Sequence, residues 1–263
     1  MAATDVTLAR PARPALRRLL LRRPELGAAV VVAAAWVTLV ALDAAGGRGN
    51  GAGAGGMPGM TARGPATLGG AWSAAVSGLP SWILMTVAMM GPAALLSVGY
   101  AGRTSLRWRR RRAMAEFSAG YLAVWAAFGV LALAAAASAP GVARPVTLAV
   151  VLAAAAAWQL TPVKRRFLLA AHRSVPLPPR GWRAERGALA FGLRNGLACV
   201  GSCWCLMLVM AVGPGGGLLW PAALTGVVTA ERLSRRPRHA TQATAVVLGF
   251  ATVATLAVGN LLR

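Results

Sequence analysis

Long apolar runs alternate with short polar segments along the whole chain. The runs are expected to form helices that cross a hydrocarbon core of about 30 Å. They are Leu26–Leu42, Leu79–Gly99, Phe117–Ser138, Val146–Leu160, Ala190–Val212, Gly217–Ala230 and Ala240–Leu261. A Gly-Pro-Gly-Gly-Gly turn at 213–217 joins the fifth run to the sixth and predicts a helical hairpin. The pattern therefore predicts an all-α, polytopic membrane protein with about seven transmembrane helices.

Composition and charge agree with a membrane protein. Hydrophobic residues make up 57% of the chain and charged residues 13%, whereas about a quarter of a soluble domain is charged. The net charge of +22 would indicate nucleic-acid binding in a soluble protein. Here, however, the N-terminal tail and three gaps between runs carry 6, 6, 8 and 4 basic residues, and the intervening segments have at most two each. The positive-inside rule then predicts a cytoplasmic N-terminus and an external C-terminus, with no nucleic-acid partner.

The segments outside the runs are too short or too polar to form a soluble domain. Residues 1–25 are expected to be a basic cytoplasmic tail, and residues 26–263 a single transmembrane helical domain. Within that domain, Ala44–Gly70 contains eleven glycines and is predicted to be a flexible external loop. Residues 16–45 could instead be a cleaved signal peptide, although their apolar stretch exceeds the roughly 7–15 residues usual for one.

The fifth run carries the most recognisable chemistry. At about 100° per residue, Cys199, Cys203, Met207 and Met210 fall on one face of a helix, and Cys205 points the opposite way. Thiolates and thioethers are the ligands that soft metals such as Cu(I) select. A seam between helices filled by small thiols and flexible methionines would show the same pattern. Both interpretations stay open, and a structural disulfide within this one helix is not expected.

The second run contains a further group of methionines. Trp82, Met85, Met89 and Pro92 share a helix face, while Met90 is displaced by about 100° from Met89. Met85 and Met89 could supply thioether ligands opposite the cysteines, although packing explains their spacing equally well. The proline removes a backbone donor, so a neighbour must satisfy the carbonyl that it frees.

Two polar positions at the predicted cytoplasmic ends of helices have less specific interpretations. Thr161-Pro162 is predicted to end the fourth helix, and Gln159 could form a hydrogen bond within the bundle. Glu231 is expected to form an interfacial i, i+4 ion pair with Arg235, and a carboxylate turned inward is the alternative. Lys164, the one lysine of the chain, receives no chemical role.

Motifs for catalysis are missing from the sequence. His172 and His239 lie among basic residues without the spacing of metal ligands. The chain has no phosphate-binding GxxxxGK[ST] loop, no HExxH and no GxSxG, and it lacks the paired membrane carboxylates of many proton-coupled carriers. We therefore expect that the protein is not an enzyme.

Five segments recur in a known order and spacing over residues 80–235. They are Trp82-x-x-Met85 with AMMGP, Phe117-x-x-Gly120-Tyr121 with Trp125, QLTPVK at 159–164, GLRNGLACVGSCWCLM and Glu231-Arg232. Together they resemble a bacterial family of predicted metal-binding integral membrane proteins that carries a domain of unknown function and is sometimes labelled a copper chaperone. The resemblance implies a multi-pass protein of the bacterial inner (cytoplasmic) membrane that handles Cu(I).

The chain departs from the family pattern at positions where soft ligands are expected. Ser202 stands where the family has an adjacent cysteine, Asn195 where a histidine is common, and Phe167 and Ala171 where cysteines follow the TPxK motif. The ligands that the resemblance and the helix pattern leave for a metal are Cys199, Cys203, Met207, Met85 and Met89.

Three functions of different classes compete at this point. The leading hypothesis is a membrane protein that binds or delivers Cu(I) as an accessory to a copper enzyme or membrane complex. The alternative is a structural or assembly subunit of a membrane complex without a metal of its own. A small-solute permease is a third option, because Pro80 and Pro92 permit broken helices, but no internal repeat supports it. The expected partners are the lipid bilayer and a copper enzyme or other membrane subunits.

Overall fold

The computed structural model describes residues 25–46, 68–138, 144–173, 175–178, 180–212, 218–234 and 237–261. Within these ranges the chain is all-α, as predicted, and contains no strand. The helices are α1 (Glu25–Gly46), α2 (Leu68–Thr104), α3 (Arg110–Ser138), α4 (Arg144–Leu160), α5 (Pro162–Ala171), α6 (Trp182–Val212), α7 (Leu219–Leu233) and α8 (Pro237–Leu261). The predicted tail and most of the predicted glycine-rich loop lie outside the described residues.

Among the residues that the structure describes, fewer helices are able to cross a membrane than the seven predicted. By length and composition, α1, α2, α3, α6 and α8 qualify. The consecutive helices α4 and α5 add a sixth only when they are taken as one broken span, because they are bent by 70°. Helix α7 has 15 residues, and at 1.5 Å per residue it extends only about 22 Å. The prediction of seven was wrong because apolar runs were counted without knowing the lengths of the helices they form.

The bend between α4 and α5 follows from the local sequence. Pro162 has no N–H to continue α4, which ends at Leu160 as the sequence predicts. Thr161 adopts an extended conformation and caps α5, accepting a hydrogen bond from the backbone N–H of Lys164 at 3.2 Å. The cap therefore redirects the chain within one residue, and the side chain of Lys164 is buried in the protein.

Helix α6 lies at the centre of the molecule. It packs against α3, α4 and α5, while α2 packs against α1, α3 and α7, and α4 packs against α8. In the most apolar part of α6, 61% of the residues are buried, compared with 11% in α1 and 17% in α8. The outer helices thus expose apolar side chains, which suits a hydrocarbon surrounding.

Glycines allow α3 and α6 to approach closely. A Cβ at Gly192 would lie 2.1 Å from the carbonyl oxygen of Phe117, and one at Gly120 would lie 2.5 Å from the carbonyl oxygen of Leu189. Small residues at such crossings let helix backbones touch where hydrophobic burial alone gives little drive for association. This crossing holds the cysteine segment of α6 against α3.

Pro92 shows how α1 is attached to the bundle. Because this proline lacks an N–H, the carbonyl of Ala88 loses its helical partner. The indole N–H of Trp36 in α1 donates to that carbonyl at 2.9 Å. The prediction that a neighbouring helix would satisfy the freed carbonyl is confirmed.

The close crossing of α3 and α6 can be tested by adding one methyl group. Gly192→Ala should lower stability by about 1–3 kcal/mol, because the new Cβ overlaps backbone atoms that cannot move aside. The measurement is the apparent Tm of the purified protein in detergent. Gly226→Ala is the matched control, since nothing lies within 4 Å of a Cβ there. An equal apparent Tm for the two variants would contradict the close packing.

Candidate functional site

The residues predicted as metal ligands are buried in one continuous core. That core contains all of Cys199, Cys203, Met207, Met85 and Met89. The side chain of Met210 lies outside those described. Helix α6 contributes the cysteines and α2 the methionines at 85 and 89, so the two elements proposed from the sequence do meet in the same core.

The thiol of Cys199 has the most polar contacts among the sulfur atoms. The hydroxyl of Tyr121 donates to its Sγ at 3.0 Å, and the thiol in turn donates to the Sδ of Met90 at 3.9 Å. Cys203 lies one turn further along α6, on the same helix face as Cys199, and is buried in the same core. The hydroxyl of Ser202 lies 3.3 Å from the Sγ of Cys203. Two thiols and one thioether therefore converge in a dry core.

Met90, which the helix pattern separates from Met85 and Met89, contacts Cys199 through its sulfur atom. Among the described residues, it alone has a methionine sulfur in hydrogen-bonding contact with a cysteine. The reason lies in the orientation of α2. The face that carries Trp82 points to α3, where the indole N–H donates to the carbonyl of Trp125 at 3.0 Å. Met90 is about 100° around the helix from Met89 and therefore faces α6.

The donor types in this core favour soft metals. In the described part of the chain, no three or more His, Cys, Asp or Glu side chains form a group that could hold a metal ion. Two cysteines and a methionine instead constitute a small set of sulfur donors. Such donors select Cu(I), whereas Mg²⁺ and Ca²⁺ prefer oxygen ligands.

A buried ion pair links α5 to α7. The ammonium of Lys164 is 2.7 Å from Oε2 of Glu231, and the two side chains are 0% and 2% exposed. Lys164 also donates to the side-chain carbonyl of Gln159. The predicted interfacial pair of Glu231 with Arg235 is therefore wrong, because the carboxylate is turned inward. Arg235 itself lies outside the described residues.

The role of Lys164 was missed from the sequence. At this buried position the compact ammonium of Lys164 contacts both Gln159 and Glu231. An arginine would present its donors in a fixed planar fork, which is a different geometry. The sequence does contain a signal for this role, because Lys164 is the one lysine in a chain whose other basic residues, apart from histidine, are all arginine. A single lysine in such a chain marks a site where the two residue types are not interchangeable.

A second buried cation contacts α6 at Asn195, one helical turn before Cys199. Arg232 is 5% exposed, and its Nη1 is 3.5 Å from Oδ1 of Asn195. The amide of Asn195 donates to Ser97 at 2.8 Å. The Nε and Nη2 groups of Arg232 have no hydrogen-bond partner among the described residues. The guanidinium interacts electrostatically with Cys199 and Tyr121.

Comparison with known proteins gives one match. The model of the PpoB2 family, described as copper chaperone, matches residues 79–255, which is more than half of the chain. No curated protein and no solved structure matches the chain. The matched region includes α6, α7 and most of α2, and thus every residue of the sulfur core and of the two buried cationic sites.

The buried ion pair should contribute strongly to stability. Glu231→Gln leaves the ammonium of Lys164 without its anion, and breaking a buried pair costs about 3–5 kcal/mol. We expect a clear fall in apparent Tm. The double variant Lys164→Met/Glu231→Leu should recover most of the loss, because it removes both charges together.

An exposed ion pair provides the matched control. Glu185, which is 40% exposed, lies 2.7 Å from Arg112, and such pairs contribute about 0–1 kcal/mol. Glu185→Gln should therefore leave the apparent Tm nearly unchanged. The account is contradicted if Glu231→Gln and Glu185→Gln have equal effects, or if the double variant is no more stable than Glu231→Gln.

Proposed function

The chain belongs to the PpoB2 copper chaperone family, and from this premise we propose that it binds Cu(I) within a membrane and passes it to a copper enzyme or another membrane complex. Cys199 and Cys203 are the primary ligands, and Met90 supplies a thioether 3.9 Å from the thiol of Cys199. Met207, Met85 and Met89 lie in the same core and remain candidate ligands. The protein itself catalyses no reaction in this proposal, and copper is its cargo.

One observation carries the proposal: the thiol of Cys199 meets the thioether of Met90 from another helix, 109 residues away in the chain. Cys203 lies one turn along the same helix face and is buried in the same core. Sulfur donors that converge from two helices form a set suited to a soft metal. The family match supports copper as that metal.

The surroundings of the sulfur atoms suit a copper carrier. Cys199, Cys203 and Met90 are at most 1% exposed, so bulk water is kept from the metal, and such a shell controls solvent access and redox behaviour. Tyr121 donates to the sulfur of Cys199 and can keep this bond when the sulfur holds copper. It would then orient the ligand, as hydrogen-bonding groups around metal sites commonly do.

A membrane location is supported by the apolar helices and by the basic gaps between them. Five helices are long and apolar enough to cross a bilayer, and α1 and α8 expose most of their side chains. We propose the bacterial inner membrane, with the N-terminus in the cytoplasm, on the basis of the resemblance and of the positive-inside rule. Lipid is then the surrounding partner of the outer helices.

A structural or assembly subunit without a metal is the second candidate. It is favoured by the absence, within the described ranges, of a group of three or more His, Cys, Asp or Glu residues able to hold an ion. Cysteines and methionines also fill helix seams well. The two candidates differ in one property that can be measured directly, which is bound copper.

The stoichiometry of Cu(I) in purified protein tests the proposal. Wild type loaded under reducing, oxygen-free conditions should retain about one Cu(I) per chain after desalting, and Cys199→Ser/Cys203→Ser should retain almost none, because serine hydroxyls are poor ligands for a soft metal. Cys205→Ser keeps both proposed ligands and is the matched control. Equal copper in wild type and in the double variant would contradict these ligands, and no copper in wild type would favour the metal-free subunit.

A further inference from the structure

Arg232 is a buried cation whose charge the described residues do not balance. The nearby carboxylate, Glu231, pairs with Lys164, so these two charges cancel. Consecutive residues of a helix point about 100° apart. Arg232 contacts Asn195 of α6, which lies one turn before Cys199 on the same helix face, while Glu231 pairs with Lys164 of α5. The contact of Arg232 with Asn195 is long, at 3.5 Å, and comes from a neutral amide.

An isolated cation in an apolar core is costly. Transfer of an ion from water into such a core carries a penalty of several kcal/mol unless an anion or several hydrogen bonds compensate for it. Two nitrogen groups of Arg232 lack any partner in the described part of the chain. The surrounding helices offer it Asn195 and Cys199 from α6 and Tyr121 from α3. Among these three residues and Cys203, the two thiols are the groups that become anionic on binding a soft metal, whereas Tyr121 would offer a hard oxygen ligand.

The charge of the loaded site depends on the metal. Each cysteine loses its S–H proton to the solvent when a metal–sulfur bond forms, so the two sulfurs together carry two negative charges. Cu(I) then leaves a complex with one net negative charge, and the guanidinium of Arg232 neutralises it. A divalent ion such as Zn(II) leaves a neutral complex, and Arg232 stays an unbalanced cation beside it.

We propose that Arg232 is the charge-balancing residue of the Cys199–Cys203 site and makes this site selective for monovalent soft cations over divalent ones. The inference rests on the proposed binding of Cu(I) by these cysteines. Asn195 acts as a positioning residue in this arrangement, because it links the guanidinium to Ser97 of α2 through two side-chain contacts. It does so at the position where the resemblance would place a histidine ligand.

The test measures the affinity of the full-length protein for Cu(I) and for Zn(II) by competition with chelators. Arg232→Met and Arg232→Gln should weaken Cu(I) binding by about tenfold or more, because a unit charge close to a buried ion contributes at least this much. Binding of Zn(II) should be unchanged or tighter. Arg232→Lys keeps the charge and should preserve the preference for Cu(I).

A second measurement uses the wild-type protein and therefore does not require that any variant folds correctly. It should bind Ag(I) at the cysteines much more tightly than Cd(II), although thiolates bind both ions well. Comparable binding of Ag(I) and Cd(II), or an unchanged ratio of Cu(I) to Zn(II) affinity in the neutral variants, would overturn the role of Arg232. Wild type that binds no Cu(I) would overturn the proposed function as well, which separates the two failures.

Discussion

The ion pair between Lys164 and Glu231 is the interaction on which the arrangement of the site depends. It joins two short helices, α5 and α7, that lie beside the central helix α6. Neither helix is long enough to cross a bilayer by itself. Breaking the buried ion pair between them costs about 3–5 kcal/mol. That amount is a large share of the roughly 5–15 kcal/mol by which a typical protein is stable.

The same pair orients the rest of the polar interior. Because Glu231 is fixed toward α5, the next residue, Arg232, is directed toward Asn195 of α6, one turn before Cys199. The crossing of α3 and α6 at Gly120 and Gly192 then places Tyr121 against Cys199. A hydrogen-bond donor contacts one of the two thiols, and a buried cation lies one helical turn away. In the proposed copper site this combination stabilises a small anionic metal complex better than it stabilises the free, protonated thiols.

Much of the fold follows from the sequence because its causes are local. The all-α class, the end of α4 at Thr161-Pro162 and the need for a donor to the carbonyl freed by Pro92 all arise within a few residues. The span count failed at α4 and α7, because hydropathy does not measure the length of a helix. The placement of Cys199, Cys203 and Met207 on one face of α6 also follows from the sequence, since it depends only on helical periodicity.

The contacts between helices could not be derived in the same way. A helical wheel gives the angles between residues of α2 but not the side of α2 on which α6 lies. The sequence therefore separates Met90 from Met85 and Met89, although Met90 contacts Cys199. The partner of Glu231 lies 67 residues away, and only the bend after α4 brings it near.

The direct test is X-ray absorption of the Cu(I)-loaded protein. We predict a first shell of sulfur alone at about 2.3 Å, with three sulfurs in wild type and in Met89→Leu and two in Met90→Leu; a shell containing nitrogen or oxygen would contradict the sulfur site.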